Sequence, residues 1–116
     1  MTRVLVADDN PAFRSLCARL LEAQGLRVVG EAADAATVVR LARSLAPDLV
    51  VMDVNLGRHD GWEVARRLRG LDRAPRVVMI SSDADAGDAG LVAHAGADRF
   101  LPKEQLGEPD VARHLR

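Results

Sequence analysis

Short apolar runs alternate with amphipathic stretches along the whole chain. Five of the runs, RVLVAD (3–8), LRVVGEA (26–32), DLVVMDV (48–54), RVVMISS (76–82) and DRFLPK (98–103), read as strands. Three are nearly continuous β-branched and aliphatic residues without polar alternation. That is the pattern of strands covered on both faces, as in a parallel sheet, so helices must lie on both sides of it.

The stretches between the runs supply those helices. Phe13, Leu16, Cys17, Leu20 and Leu21 recur at helical spacing behind Asn10 as N-cap and Pro11 at the first helical position, and Gly25 stops this first helix. A second helix starts near Asp34, carries Val38, Leu41, Ala42 and Leu45 on one stripe, and ends before Pro47, whose ring disfavours helical geometry at Ala46. A third follows Asp60-Gly61 with Val64, Ala65 and Leu68 inward. A fourth uses Leu91, Val92 and Ala95 and closes at Gly96. Its approach, Asp83 to Gly90, is rich in Asp, Gly and Ala and is expected to be a mobile loop with a short helix. A fifth is expected to begin near Pro109. Five strands alternating with five helices define an α/β chain, (βα)5, a doubly wound parallel five-stranded sheet with strand order 2-1-3-4-5.

At 116 residues, with 48% of them hydrophobic, the chain suits one domain spanning 1–116 around one sheet. Its 16 basic and 17 acidic residues nearly cancel, which argues against a nucleic-acid footprint and a polybasic membrane patch. No apolar run reaches the roughly 18 residues of a membrane span. The single cysteine, Cys17, fits the apolar stripe of the first helix, and the first residues lack a secretory signal core, so a cytoplasmic location is expected.

The chemistry concentrates where polar residues interrupt the strand pattern. Asp8 and Asp9 follow strand 1, Asp53 ends strand 3, Ser81 ends strand 4 and Lys103 follows strand 5. In the expected order these strands are neighbours, and open α/β sheets bind ligands beyond the carboxyl ends of their strands, where the order reverses. Three crowded carboxylates repel one another unless a hard cation such as Mg²⁺ neutralises them, so Asp8, Asp9 and Asp53 make a credible Mg²⁺ site, with the backbone carbonyl of Asn55 as a further ligand. With its charge screened, Asp53 can attack phosphorus and form an acyl phosphate. Lys103 would neutralise the developing charge, and the Ser81 hydroxyl would donate to the attached group.

Taken together, Asp8-Asp9, DLVVMDVNLGRHDGWE around Asp53, VVMISS and RFLPK resemble the receiver domain of bacterial response regulators, a flavodoxin-like fold, over nearly the whole chain. VVGEAADAA and GADRFLPKEQL are most similar to receivers of the LuxR-type transcription-factor group. That group joins the receiver to a helix-turn-helix output domain, which is not expected within residues 1–116. The resemblance implies phosphoryl transfer from a sensor histidine kinase to Asp53, slow hydrolysis that resets the signal, and no turnover of a separate substrate. It also implies that Ser81 moves toward the phosphoryl group and draws Phe100 inward, repacking helix 4, strand 5 and helix 5. A phosphorylation-dependent homodimer through that face, or through another pair of helices, is a candidate assembly. Ala12, Ser15 and Arg19 on helix 1 are candidates for kinase choice, and direct nucleic-acid binding by this segment is not expected. Two positions depart from many receivers. Gly57 replaces a proline in the loop after Asp53, which should loosen it. Pro102 precedes Lys103 and Glu104 follows it, so a cis Lys103–Glu104 bond, costing about 3 kcal/mol, is not assumed.

Each residue also has a bland reading. Asp8-Asp9 can favour a helix dipole, Asp53 can be a turn residue, Lys103 a solvated lysine, Ser81 a loop start and Phe100 a packed aromatic. Trp62 reads as partly buried packing, and His59, His94 and His114 lack ligand spacing. Joint placement favours function. The competing functions are a degenerate receiver serving as a binding module, a haloacid-dehalogenase-like phosphohydrolase and a flavin carrier. Asp53-Val54-Asn55 lacks the second Asp of the phosphohydrolase motif, and the carboxylates of ADDNPA would repel a flavin phosphate.

Overall fold

The computed structural model describes residues 1–83 and 89–115. In chain order the elements are β1 (Arg3–Ala7), α1 (Pro11–Ala23), β2 (Arg27–Ala32), α2 (Ala35–Leu45), β3 (Leu49–Asp53), β4 (Asn55–Leu56), β5 (His59–Asp60), α3 (Gly61–Arg69), β6 (Arg76–Ser81), α4 (Ala89–Ala95), β7 (Arg99–Pro102) and α5 (Val111–Leu115), with a 3₁₀ turn at Lys103–Gly107 before α5. The sheet runs β2-β1-β3-β6-β7, all parallel. This is the expected 2-1-3-4-5 order, renumbered by the two short strands β4 and β5.

Strand alternation builds two apolar layers. Leu5, Ala7, Val50, Met52, Val77 and Met79 point to one face and meet Val38 of α2, Leu68 of α3 and Ala95 of α4. Val4, Val6, Leu49, Val51, Val78 and Ile80 point to the other and meet Cys17 and Leu21 of α1 and Val111 and Leu115 of α5. Burying each Val or Leu contributes about 1.5–3 kcal/mol, so both faces pin the register of the central strands.

Side chains fix where the helices start. Asn10 accepts the N–H groups of Ala12 and Phe13 at 3.0 and 3.2 Å, and Asp34 accepts that of Thr37 at 2.8 Å. At the far end of α2, Ala46 takes a left-handed conformation (φ 45°, ψ 59°) ahead of Pro47, and the Arg3 guanidinium holds its carbonyl at 2.9 Å.

Several details differ from the sequence reading. Leu16 and Leu91, placed inward by their spacing, are 42% and 43% exposed, because the buried stripes are narrower than the apolar ones. The fifth helix starts at Val111, since the 3₁₀ turn and the bonds from Glu108 N–H to Gln105 and from Val111 N–H to Glu108 occupy the preceding residues. Gly57, expected to loosen its loop, occupies a defined turn. At φ 62° it opens the two-residue turn that joins β4 to β5, where a left-handed first position favours glycine. Trp62 is buried rather than partly buried. The peptide bonds of the described residues are trans, Lys103–Glu104 included. Most of the segment expected to form a mobile loop, residues 84–88, lies outside the described residues.

Candidate functional site

The carboxyl edge of the sheet gathers four of the residues singled out by sequence. Asp8, immediately after β1, is fixed through its backbone, with its N–H donating to Ala32 O at 3.0 Å and its carbonyl accepting from the Arg14 guanidinium at 2.8 Å. Its Oδ1 accepts the N–H of Asn10 at 2.8 Å. Asp53, the last residue of β3, accepts the N–H of Asn55 at 2.9 Å. The Lys103 ammonium stands 2.8 Å from Asp8 Oδ2 and 2.7 Å from Asp53 Oδ2. Asp9, exposed, completes a trio of carboxylates with oxygens within 4.8 Å of one another.

Asp8 is fully buried and Asp53 nearly so. Desolvation raises the pKa of Asp8 and the Asp53 charge adds to it, against the lowering contacts from Lys103 and the Asn10 N–H. For Lys103, desolvation alone would lower the pKa, but the carboxylates of Asp53 and Asp8 outweigh it and the ammonium is held charged above its ordinary value. Among the described residues, Asp8 Oδ2 has the ion pair with Lys103 but no well-directed hydrogen bond. A buried carboxylate oxygen left in that state, inside a trio of carboxylates, fits a hard divalent cation with oxygen ligation.

Ser81 ends β6, one residue beyond Ile80, the register partner of Asp53. It is buried, and its Oγ accepts the Asp83 N–H at 3.0 Å, a bond that does not use the hydroxyl hydrogen. Asn55 begins β4 opposite Asp60. Phe100, half-buried on β7, stacks on Trp62 with ring centroids 6.5 Å apart and planes 24° from parallel. The histidines at 59, 94 and 114 are exposed, in keeping with their reading as surface or loop residues. Burial, with the charge of Asp8, pushes the Cys17 thiol up to about 12, which keeps it protonated.

Three neighbours escaped the sequence reading. The Phe13 ring lies under the Lys103 ammonium, 4.0 Å from its centroid. Trp62 was read as partly buried packing near the Asp53 loop, without Phe100 as its partner. Gly61 brings α3 against the end of β3: its N–H donates to Val54 O at 2.7 Å, and a Cβ there would stand 2.3 Å from Asp53 O. A glycine directly after an N-cap aspartate was the available signal for such an approach.

The fold and this acidic, lysine-bearing edge define a class of phosphoryl-signalling domain, and comparison with known proteins agrees. The family model of the response regulator receiver domain matches residues 4–113. The transcriptional regulatory protein PdtaR of Mycobacterium tuberculosis is 40% identical over 97 residues, 79% of this chain and 47% of that protein. The chain spans about half the length of curated relatives of this kind. Among solved structures, a LuxR-family two-component response regulator from Aurantimonas sp. SI85-9A1 is similar with TM-score 0.87 and 34% identity, covering 98% of this chain and 83% of that one. The response regulator domain of Thermotoga maritima CheB gives TM-score 0.85 and 27% identity, covering 98% and 92%. The chain belongs to the response regulator receiver family of two-component systems. Among the described residues no helix is long and apolar enough to cross a membrane.

Proposed function

We propose that residues 1–116 act as a single receiver unit in which Asp53 is the phosphoacceptor, with a sensor histidine kinase as donor. The observation that carries this reading is the convergence of Lys103 on Asp53 and Asp8 at 2.7 and 2.8 Å beside the third carboxylate. Asp8, Asp9, Asp53 and the backbone carbonyl of Asn55 are the groups that would hold Mg²⁺, which supplies charge neutralisation for phosphoryl transfer. A carboxylate oxygen of Asp53 attacks phosphorus in line. The new O–P bond forms as the P–N bond of the phosphohistidine breaks, and the imidazole leaves with its electron pair.

Lys103, already charged and aimed at Asp53, meets the negative charge on the transferred group. Ser81 donates its hydroxyl hydrogen to that group, a contact available only after phosphorylation. Phe100 reads the change out on the face of α4, β7 and α5, where a phosphorylation-dependent homodimer or another protein would respond. Hydrolysis of the acyl phosphate resets the domain. The setting is cytoplasmic, and the chain itself does not contact nucleic acid.

Intact-mass measurement after incubation with acetyl phosphate and Mg²⁺ tests this. The native chain gains one phosphoryl group, whereas Asp53→Ala and an EDTA-treated sample do not. An unmodified native chain that a kinase also fails to label would instead make this a degenerate receiver used as a binding scaffold.

A further inference from the structure

We infer that Phe13 is a positioning residue for Lys103, holding the ammonium against the ring face so that it stays aimed at the acceptor while the charge on the carboxylates changes. This rests on the reading of Asp53 as phosphoacceptor. Lys103 Nζ lies 4.0 Å from the Phe13 ring centroid, inside the roughly 6 Å range of a cation–π contact. The lysine side chain is only 16% exposed, so the contact is poorly screened by water. Phe13 is itself fixed. Its N–H is capped by Asn10 at 3.2 Å, and its side chain packs on the apolar layer under α1.

The need for a second hold follows from electrostatics. In the structure two carboxylates bind the ammonium, at 2.7 and 2.8 Å. Once those carboxylates share their charge with a divalent cation their pull on the ammonium falls, and cation and ammonium repel one another. Lysine is a strongly hydrated charge on a flexible four-carbon stem, so a weakened pull lets it turn toward solvent. The ring quadrupole does not titrate, binds no metal and keeps its attraction throughout. An aliphatic side chain of similar size would fill the same space without supplying that attraction.

Lys103 is the one lysine of the chain, so a ¹³C-lysine-labelled sample reports this residue alone. The experiment compares the native chain with Phe13→Leu, Phe13→Met and Phe13→Tyr. It reads the ring-current shift of the Lys103 Hε protons with and without Mg²⁺, and the initial rate of Asp53 phosphorylation across acetyl phosphate concentrations. Native and Phe13→Tyr should keep the ring-current shift in saturating Mg²⁺ and phosphorylate within about threefold of each other; the aliphatic variants should lose the shift and fall about tenfold in maximal rate. Thermal melts identify any variant that fails to fold, and Met carries the comparison if Leu does. Equal rates for Tyr and the aliphatic variants, or loss of the native shift on adding Mg²⁺, would overturn the inference while leaving Asp53 as acceptor. If the native chain formed no adduct, the acceptor reading and this inference would fall together, and the shift alone would report only the contact.

Discussion

The two edges of the sheet treat their carboxylates in opposite ways. At the amino edge Asp48 and Asp98 each close a reciprocal pair with the start of a strand. Asp48 N–H donates to Arg3 O at 2.9 Å while its Oδ2 accepts the Arg3 N–H at 2.8 Å; Asp98 N–H donates to Val77 O at 2.8 Å while its Oδ2 accepts the Val77 N–H at 2.7 Å. At the carboxyl edge Asp8, Asp9 and Asp53 face one another, and a single ammonium stands between two of them. The cause is the direction of the chain. Parallel strands present free N–H groups where they begin and free carbonyls where they end, so acids find donors at one edge and acceptors at the other. The amino edge stabilises the fold, while the carboxyl edge keeps an excess of negative charge of the kind a divalent cation relieves.

The largest effect expected from perturbing the carboxyl edge is that of Gly61→Ala. A Cβ 2.3 Å from Asp53 O forces α3 away from the end of β3, lowering stability by about 3 kcal/mol and slowing Asp53 phosphorylation. Denaturant melts and the acetyl phosphate reaction measure the two effects, and a variant as stable and reactive as native would show that this close approach does not position Asp53. At the amino edge, Asp98→Ala leaves the Val77 N–H without its acceptor and should cost about 1–3 kcal/mol in the same melts, with phosphorylation unchanged. A slowed phosphorylation there would break the division between the edges.

Asp34 sharpens the comparison, because it follows β2 yet meets donors at the start of α2. The backbone N–H of Thr37, then its side chain, holds the Asp34 carboxyl below the ordinary value of 3.8. Its stabilising contribution is therefore complete above pH 3.8 and is lost as pH falls through the lowered folded value. Asp34→Asn keeps a capping oxygen without a titration. Native and variant stability curves should run parallel above pH 3.8 and converge or cross below it, and curves parallel throughout would remove Asp34 from this account.

The sheet order and the acidic, lysine-bearing edge were legible because they are written in runs. Asp8, Asp53 and Ser81 close apolar runs and Lys103 closes a mixed one, and a parallel sheet has one place to bring such ends together. What was not legible depends on contacts between elements. Nothing local to Phe13 says that its ring meets Lys103, or that Trp62 meets Phe100, since each pair spans separate elements and looks apolar or solvated by itself. The β4–β5 hairpin was hidden because Leu56-Gly57-Arg58-His59 sits inside a segment read for its chemistry, and the 3₁₀ turn at Lys103–Gly107 because five residues carry no period. Leu16 and Leu91 show the converse limit: apolar spacing overestimates the width of a buried face.

The most direct test of the contrast between the edges is the melting temperature of the native chain and of Asp9→Asn, each with and without Mg²⁺. Without metal the variant, relieved of one of three crowded carboxylates, should be more stable by about 0.5–2 kcal/mol. With Mg²⁺ the native chain should gain stability and the variant little, so that their order reverses. A native chain indifferent to Mg²⁺, or a variant less stable than native in the absence of metal, would contradict the account.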